Sequence, residues 1–217
     1  MLVGDRMSHP VITIHADVSI QDALYRMKAE NIRRLPVIDR RGALVGIISE
    51  RELLHASPSN ATSLSVWEVT YLLSRIKVED IMVRDVITVP EDTPIEDAAR
   101  IMTDAKIGAL PVMRNDKVVG IITETDLFKL FLELLGAREK GVRISLMAPN
   151  IPGKLVEIAK AIFDAGGDII ALGTFMGDST AERELTFKID GVSAETLVAA
   201  LKPHVDSILD VRTSPAD

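Results

Sequence analysis

The stretch Leu35-Pro36-Val37-Ile38-Asp39-Arg40-Arg41-Gly42-Ala43-Leu44-Val45-Gly46-Ile47-Ile48-Ser49-Glu50 returns as Leu110-Pro111-Val112-Met113-Arg114-Asn115-Asp116-Lys117-Val118-Val119-Gly120-Ile121-Ile122-Thr123-Glu124. Upstream of it, the identities continue at an offset of 75: Val3, Asp5 and Met7 with Val78, Asp80 and Met82, then Val11-Ile12-Thr13 with Val86-Ile87-Thr88. Asp17, Ile20, Asp22, Ala23, Met27 and Ile32 also recur at 92, 95, 97, 98, 102 and 107. One deletion near Gly42 changes the offset to 74, which then matches Val45 through Ile48, Glu50 and Leu53 to their counterparts. An ordered set of identities with one gap is an internal repeat, and it sets the organisation of the chain.

Each copy reads as strand, helix, strand, strand, helix. The β-branched runs Val11–Ile14 and Val86–Val89 predict a first strand. Ile20, Ala23, Leu24 and Met27 fall on one helical face, as do Ile95, Ala98, Ala99 and Met102. Thr93-Pro94-Ile95-Glu96 predicts a well-capped helix start, and Ser19 with Asp22 a weaker one. Leu35–Asp39 with Leu44–Ile48, and Leu110–Arg114 with Val118–Ile122, predict hairpins joined at Gly42 and at Asn115-Asp116. A short helix starts near Glu50 or Glu124. One such unit is too small to bury a large core, so two copies predict a pair about a pseudo-twofold axis. Between them, Ala56-Ser57-Pro58-Ser59-Asn60 reads as a loop and Val66–Ile76 as an apolar helix.

The repeat resembles a tandem pair of CBS domains, a Bateman module. Leu35-Pro36-Val37 and Leu110-Pro111-Val112 carry the resemblance, with Gly46-Ile47-Ile48-Ser49-Glu50-Arg51-Glu52 and Gly120-Ile121-Ile122-Thr123-Glu124-Thr125-Asp126. It places the domains at 1–57 and 76–137, with a helical linker at 58–75.

After Gly136 the pattern changes. Val142, Ile144 and Leu146 alternate with polar residues as in a half-buried strand. A helix with Leu155, Ile158, Ala159, Ile162 and Phe163 follows, then strands at Ile169–Phe175 and Leu185–Ile189, a helix capped by Ser193, and a strand at Ile208–Arg212. The order βαββαβ predicts a ferredoxin-like plait over 141–217. Pro152-Gly153 and Gly167-Asp168-Ile169 resemble an ACT domain. The expected class is therefore α+β: a tandem CBS pair followed by a ferredoxin-like, ACT-type domain. Two CBS units with such a tail are similar to the acetoin-utilisation AcuB group.

The resemblance implies an adenosine-nucleotide cleft between the CBS units, for AMP, ADP, ATP or an S-adenosylmethionine-like molecule. Asp126 would take the ribose, because a carboxylate accepts two hydrogen bonds from a diol. Thr123 and Thr125 stand beside it, Ile12, Thr13, Ile87 and Ile121 near the base, and Arg33 or Arg34 at phosphate. Asp126 and Thr123 also read as plain helix capping, and the arginines as a solvated face or salt bridge. Glu52 and Arg51 replace Asp126 and Thr125 in the first copy, and Gly108-Ala109 replaces Arg33-Arg34 in the second. One nucleotide per chain is therefore expected. The ACT resemblance adds Asn150, Ile151 and Gly153 as places for a second small ligand.

Composition bounds the alternatives. The chain has 217 residues, 47% apolar and 26% charged, no cysteine and a formal charge of −7. Without cysteine there is no disulfide, thiolate metal site or cysteine nucleophile. Residues 1–140 carry 18 basic and 21 acidic groups and 141–217 carry 7 and 11, so neither part has the footprint of a nucleic-acid binder. The start Met1-Leu2-Val3-Gly4-Asp5-Arg6 lacks a signal-peptide pattern, and no apolar run reaches membrane-spanning length. A cytoplasmic location is expected. His9, His15, His55 and His204 show no metal-ligand spacing, and no phosphate loop or nucleophile elbow is present. The reading is a regulatory protein without catalytic residues or cofactor, a homodimer acting on an unknown effector protein. Its competitor is an interaction scaffold without ligand.

Overall fold

The computed structural model describes residues 1–56, 66–177 and 179–214, in two compact units, Met1–Leu127 and Phe128–Asp217. The loop read at Ala56–Asn60 lies, beyond Ala56, outside the described residues.

The first repeat comprises α1 (Val3–Arg6), β1 (Ile14–His15), α2 (Ile20–Ala29), β2 (Arg34–Ile38), β3 (Leu44–Ser49) and α3 (Glu50–His55). After α4 (Val66–Arg75), the second repeats the order with α5 (Val78–Ile81), β4 (Val89–Pro90), α6 (Ile95–Ala105), β5 (Ala109–Arg114), β6 (Lys117–Thr123) and α7 (Glu124–Leu134). Each has a three-stranded sheet in which the first strand runs parallel to the second and the second antiparallel to the third. The hairpins form as expected. Asn115 and Asp116 both take positive φ, 48° and 63°, the turn geometry that suits the right-handed twist of a two-residue hairpin.

The first strands are shorter than the sequence predicts. They begin at Ile14 and Val89 rather than Val11 and Val86. The backbone at Ser8 is bonded both ways to Ile121 of the other repeat, and Val83 to Ile47. The residues that follow carry the chain from one repeat to the other and join the ladder only opposite Val37 and Val112. The helix starts also reverse the expected order. Ser19 accepts the Asp22 amide at 3.1 Å, whereas α6 is preceded by Pro94 without a side-chain cap. There the Thr93 and Met1 carbonyls instead receive the Val3 and Ile95 amides.

The lead-in helices are exchanged. Val78 and Met82, from the start of the second repeat, are buried in the core of the first with Ile20, Leu35, Val37, Ile48 and Leu53. Met82 lies on Gly46 and Met7 on Gly120, so closely that a Cβ at either glycine would collide with the methionine Cγ and Sδ. The glycine that opens each Gly-Ile-Ile run is thus the seat for the other repeat's methionine.

The second compact unit holds β7 (Gly141–Pro149), α8 (Lys154–Asp164), β8 (Asp168–Met176), β9 (Glu182–Asp190), α9 (Ala194–Leu201) and β10 (Ser207–Ser214). Its antiparallel sheet has the order β10-β7-β9-β8, the plait expected from βαββαβ. Val142, Ile144, Leu146, Phe187 and Ile189 meet Ile158, Ile162, Leu197 and Leu201 in its core.

Candidate functional site

A cleft of about 410 Å³ opens between the two repeats of the first unit. The first repeat supplies Arg34, Ile47, Ser49, Arg51 and Glu52, and the second Val86, Ile87, Lys106, Ile107, Gly108 and Glu124, with Val83 and Asp85 from the crossing segment. Its size suits a nucleoside-sized ligand.

Three carboxylates line this cleft, Glu52, Asp85 and Glu124, and Glu52 is the one held at a helix start. Its Oε2 accepts the Ser49 amide at 3.0 Å and the Ser49 hydroxyl, and Oε1 faces Arg51 Nε at 3.3 Å. Burial pushes the carboxyl up, but the Ser49 hydrogen bonds and Arg51 outweigh it and hold Glu52 below the usual glutamate value. Across the cleft, Arg34 Nη2 stands 3.6 Å from Glu124 Oε2. A Cβ on Gly108 would fall on that guanidinium and carboxylate, so the pair needs a glycine there. Ile47, Ile87 and Ile107 provide the apolar walls.

The residues singled out from the sequence divide between two pseudo-equivalent places. Arg34 and Ile87 line the cleft that contains Glu52. Asp126, Thr123 and Thr125 stand at the start of α7, where Asp126 Oδ2 accepts the Thr123 amide at 3.0 Å and its hydroxyl at 2.7 Å. Arg33 Nη2 reaches Thr125 Oγ1 at 3.4 Å, beside Asp126. Ile121 is buried on β6, bonded to Ser8. Ile12 and Thr13 are half-buried in the crossing segment. Adjacent side chains on an extended backbone diverge, and the two arginines accordingly go to different partners. Ser49, Lys106 and Ile107 line the cleft without having been singled out in the sequence, and Glu52 entered that reading only as the counterpart of Asp126. The repeat offset points to Ser49, which stands 74 positions before Thr123 as Glu52 does before Asp126.

Next to this cleft is a second hollow of about 520 Å³, lined by Arg33, Arg34, Ser49, Glu50, Arg51, Leu54 and His55. It shares Arg34, Ser49 and Arg51 with the first. Among the described residues, no group of three or more His, Cys, Asp or Glu could hold a metal ion, and no helix is long and apolar enough to cross a membrane.

In the second unit, Asn150 ties two loops together. Its amide nitrogen donates to the Thr180 carbonyl at 3.0 Å and its oxygen accepts Arg183 Nε at 2.8 Å. Ile151 is exposed, and Gly153 takes φ +87° at the start of α8.

Comparison with known proteins covers the repeat. The CBS domain family matches residues 3–59 and 78–133. A CBS domain-containing protein of Dictyostelium discoideum is 33% identical over 136 residues, which cover 62% of this chain and 94% of that one. The chain spans only about a quarter of the L-aspartate semialdehyde sulfurtransferase of Methanocaldococcus jannaschii, at 36% identity. Among solved structures, the CBS domain pair of protein MJ0100, in complex with 5′-methylthioadenosine and S-adenosyl-L-methionine, is 35% identical with a TM-score of 0.51, covering 60% of this chain and 95% of that one. CBSX2 in complex with AMP is 30% identical with a TM-score of 0.51, covering 60% and 96%. A putative acetoin utilization protein, AcuB, from Vibrio cholerae is 32% identical with a TM-score of 0.52, covering 64% and 96%. With its two matched segments arranged as an exchanged pair around one cleft, the chain belongs to the CBS-domain family.

Proposed function

We propose that the protein is a regulatory sensor whose CBS pair binds an adenosine ligand in the cleft containing Glu52. The observation that carries this reading is a Ser49-bonded Glu52 carboxylate in one cleft with apolar walls at Ile47, Ile87 and Ile107 and with Arg34, which faces Glu124 of the other repeat. A ribose diol would donate to the carboxylate, the base would lie between the isoleucines, and a phosphate would meet Arg34. The similar pairs solved with AMP and with S-adenosyl-L-methionine support the ligand class. Asp126, with Thr123, Thr125, Ile12, Thr13 and Ile121, is the pseudo-equivalent place, which Arg33 enters from the other repeat. One ligand per chain follows from that asymmetry. The C-terminal plait serves as an ACT-like module that pairs two chains or takes a second small molecule at Asn150, Ile151 and Gly153. The output passes to an effector protein in the cytoplasm, and the chain itself catalyses nothing.

A thermal-shift series tests this with AMP, ADP, ATP, S-adenosylmethionine and amino acids. A ligand at 100 times its Kd stabilises by about 2.7 kcal/mol. Glu52→Ala should abolish the adenosine shift and Asp126→Ala should leave most of it. The reverse result moves the ligand to Asp126, and no shift with any compound leaves a ligand-free scaffold. A monomer in light scattering would remove the pairing role.

A further inference from the structure

The two glycine seats hold sequence-equivalent methionines in unequal surroundings. Met82, on Gly46, is 8% exposed and belongs to the core of the first repeat. Met7, on Gly120, is half-buried and lines a hollow of about 540 Å³ between the lead-in, at Asp5 and His9, and the second repeat, at Glu91 and Arg114. Its thioether lies flat on the glycine, with Cγ, Sδ and Cε all within 3.2 Å of the place a Cβ would take. The same lead-in is tied to the second repeat by the Val3 and Gly4 amides, which donate to the Thr93 and Glu91 carbonyls at 2.8 Å. The two-way bond of Ser8 to Ile121 completes the attachment. The chain has no cysteine, so thioethers are its readily oxidised sulfur.

We propose that Met7 is a site of reversible oxidation by a peroxide, and that its sulfoxide releases the lead-in from the second repeat. The sulfur takes one oxygen atom: the peroxide O–O bond breaks, an S–O bond forms and water leaves. Sulfur gives up an electron pair and the peroxide is reduced by it. A methionine sulfoxide reductase, drawing on a dithiol, reverses the step. The sulfoxide is polar and chiral where the thioether is apolar. An oxygen on the glycine side has no room over Gly120, and on either side the polar S–O bond must leave an apolar contact to be hydrated. The Ser8–Ile121 bonds, one residue further along, loosen with it. β6 runs from Ile121 to Thr123, so the release disturbs the place around Asp126 and spares the Glu52 cleft. The proposal stands on packing and does not depend on the adenosine reading.

Titration of the full chain with hydrogen peroxide, followed by peptide mass spectrometry and amide hydrogen exchange, tests this. Met7 should oxidise about tenfold or more faster than Met82, as exposure dictates. Exchange at the Ser8 and Ile121 amides should then quicken about tenfold or more, while the matching Val83 and Ile47 amides of the other seat stay within about twofold. A methionine sulfoxide reductase with dithiothreitol should restore slow exchange. Met7→Leu, a swap of near-equal volume, should keep the resting exchange pattern and lose the peroxide response, although the exposed Met1 and Met176 still oxidise. Oxidation of Met7 no faster than that of Met82 overturns the proposal. So does complete oxidation of Met7 without faster exchange at Ser8 and Ile121, or a response that survives Met7→Leu. If Met7→Leu by itself loosens the lead-in, the unaltered chain decides: exchange that stays fast after Met7 has been reduced overturns the proposal.

Discussion

Arg34 of the first repeat reaches Glu124 of the second, Nη2 to Oε2 at 3.6 Å, through space that the missing side chain of Gly108 leaves open. The arginine belongs to the lining of both cavities, so under the proposed function its position bears on ligand binding more than on stability. Its side chain is one-quarter exposed and that of Glu124 more than half, and a pair in such surroundings contributes little to folding. In Gly108→Ala the new methyl group displaces Arg34. Folding stability should change by less than about 1 kcal/mol, because the loss of chain entropy in the unfolded state offsets local strain. Affinity for the adenosine ligand should fall about tenfold, read by titration calorimetry beside a denaturant melt.

Gly46→Ala should cost about 1–3 kcal/mol, the scale of overpacking a closed site. The new Cβ meets Met82 Cγ and Sδ and the Val83 carbonyl oxygen. Met82→Ala alone should also destabilise. In the double variant the costs should be less than additive, because removing the methionine makes room for the methyl group. A strictly additive cycle in urea melts would show that the two residues do not share a seat.

The two helix starts should respond unequally to the same change. Ser19→Ala removes an acceptor for the Asp22 amide and should cost about 1 kcal/mol. Thr93→Ala removes no cap and should stay within about 0.5 kcal/mol, although Thr93 stands in the stronger capping sequence. Thermal or chemical denaturation of both variants checks the contrast.

Glu52 gives the stability a pH dependence of known sign. Its carboxyl is held below the unfolded value near 4.5, because the Ser49 bonds and Arg51 outweigh burial. The contribution is full above that value and is lost as pH falls through the lower folded value. Glu52→Gln should therefore lower stability at neutral pH and flatten the decline on the acid side. Melting temperatures from pH 7 down through the carboxylate range, for both proteins, measure it.

The repeat, the hairpins and the βαββαβ plait were legible because each depends on local pattern: identities at a fixed offset, alternation, and turn residues. The exchange was not. Val3 and Val78 sit in matching sequence, so the pattern says that each valine is buried but not in which copy. The same ambiguity affects the cleft. Ile87 and Asp126 belong to one repeat in sequence, yet Ile87 lines a wall shared with Glu52. A reading that keeps each repeat's residues together cannot separate the two pseudo-equivalent places. Thr93 failed for a related reason: its helix start is occupied by Met1 and Val3, more than ninety residues earlier.

The exchanged lead-ins also set an order of assembly. The first repeat lacks Val78 and Met82 until they have been synthesised. A nascent chain ending before Val78 therefore holds an incomplete hydrophobic core, however much of the first repeat has emerged from the ribosome. Translation must run past Met82 before the first copy can close, and the second in turn closes on Met7 from the start of the chain.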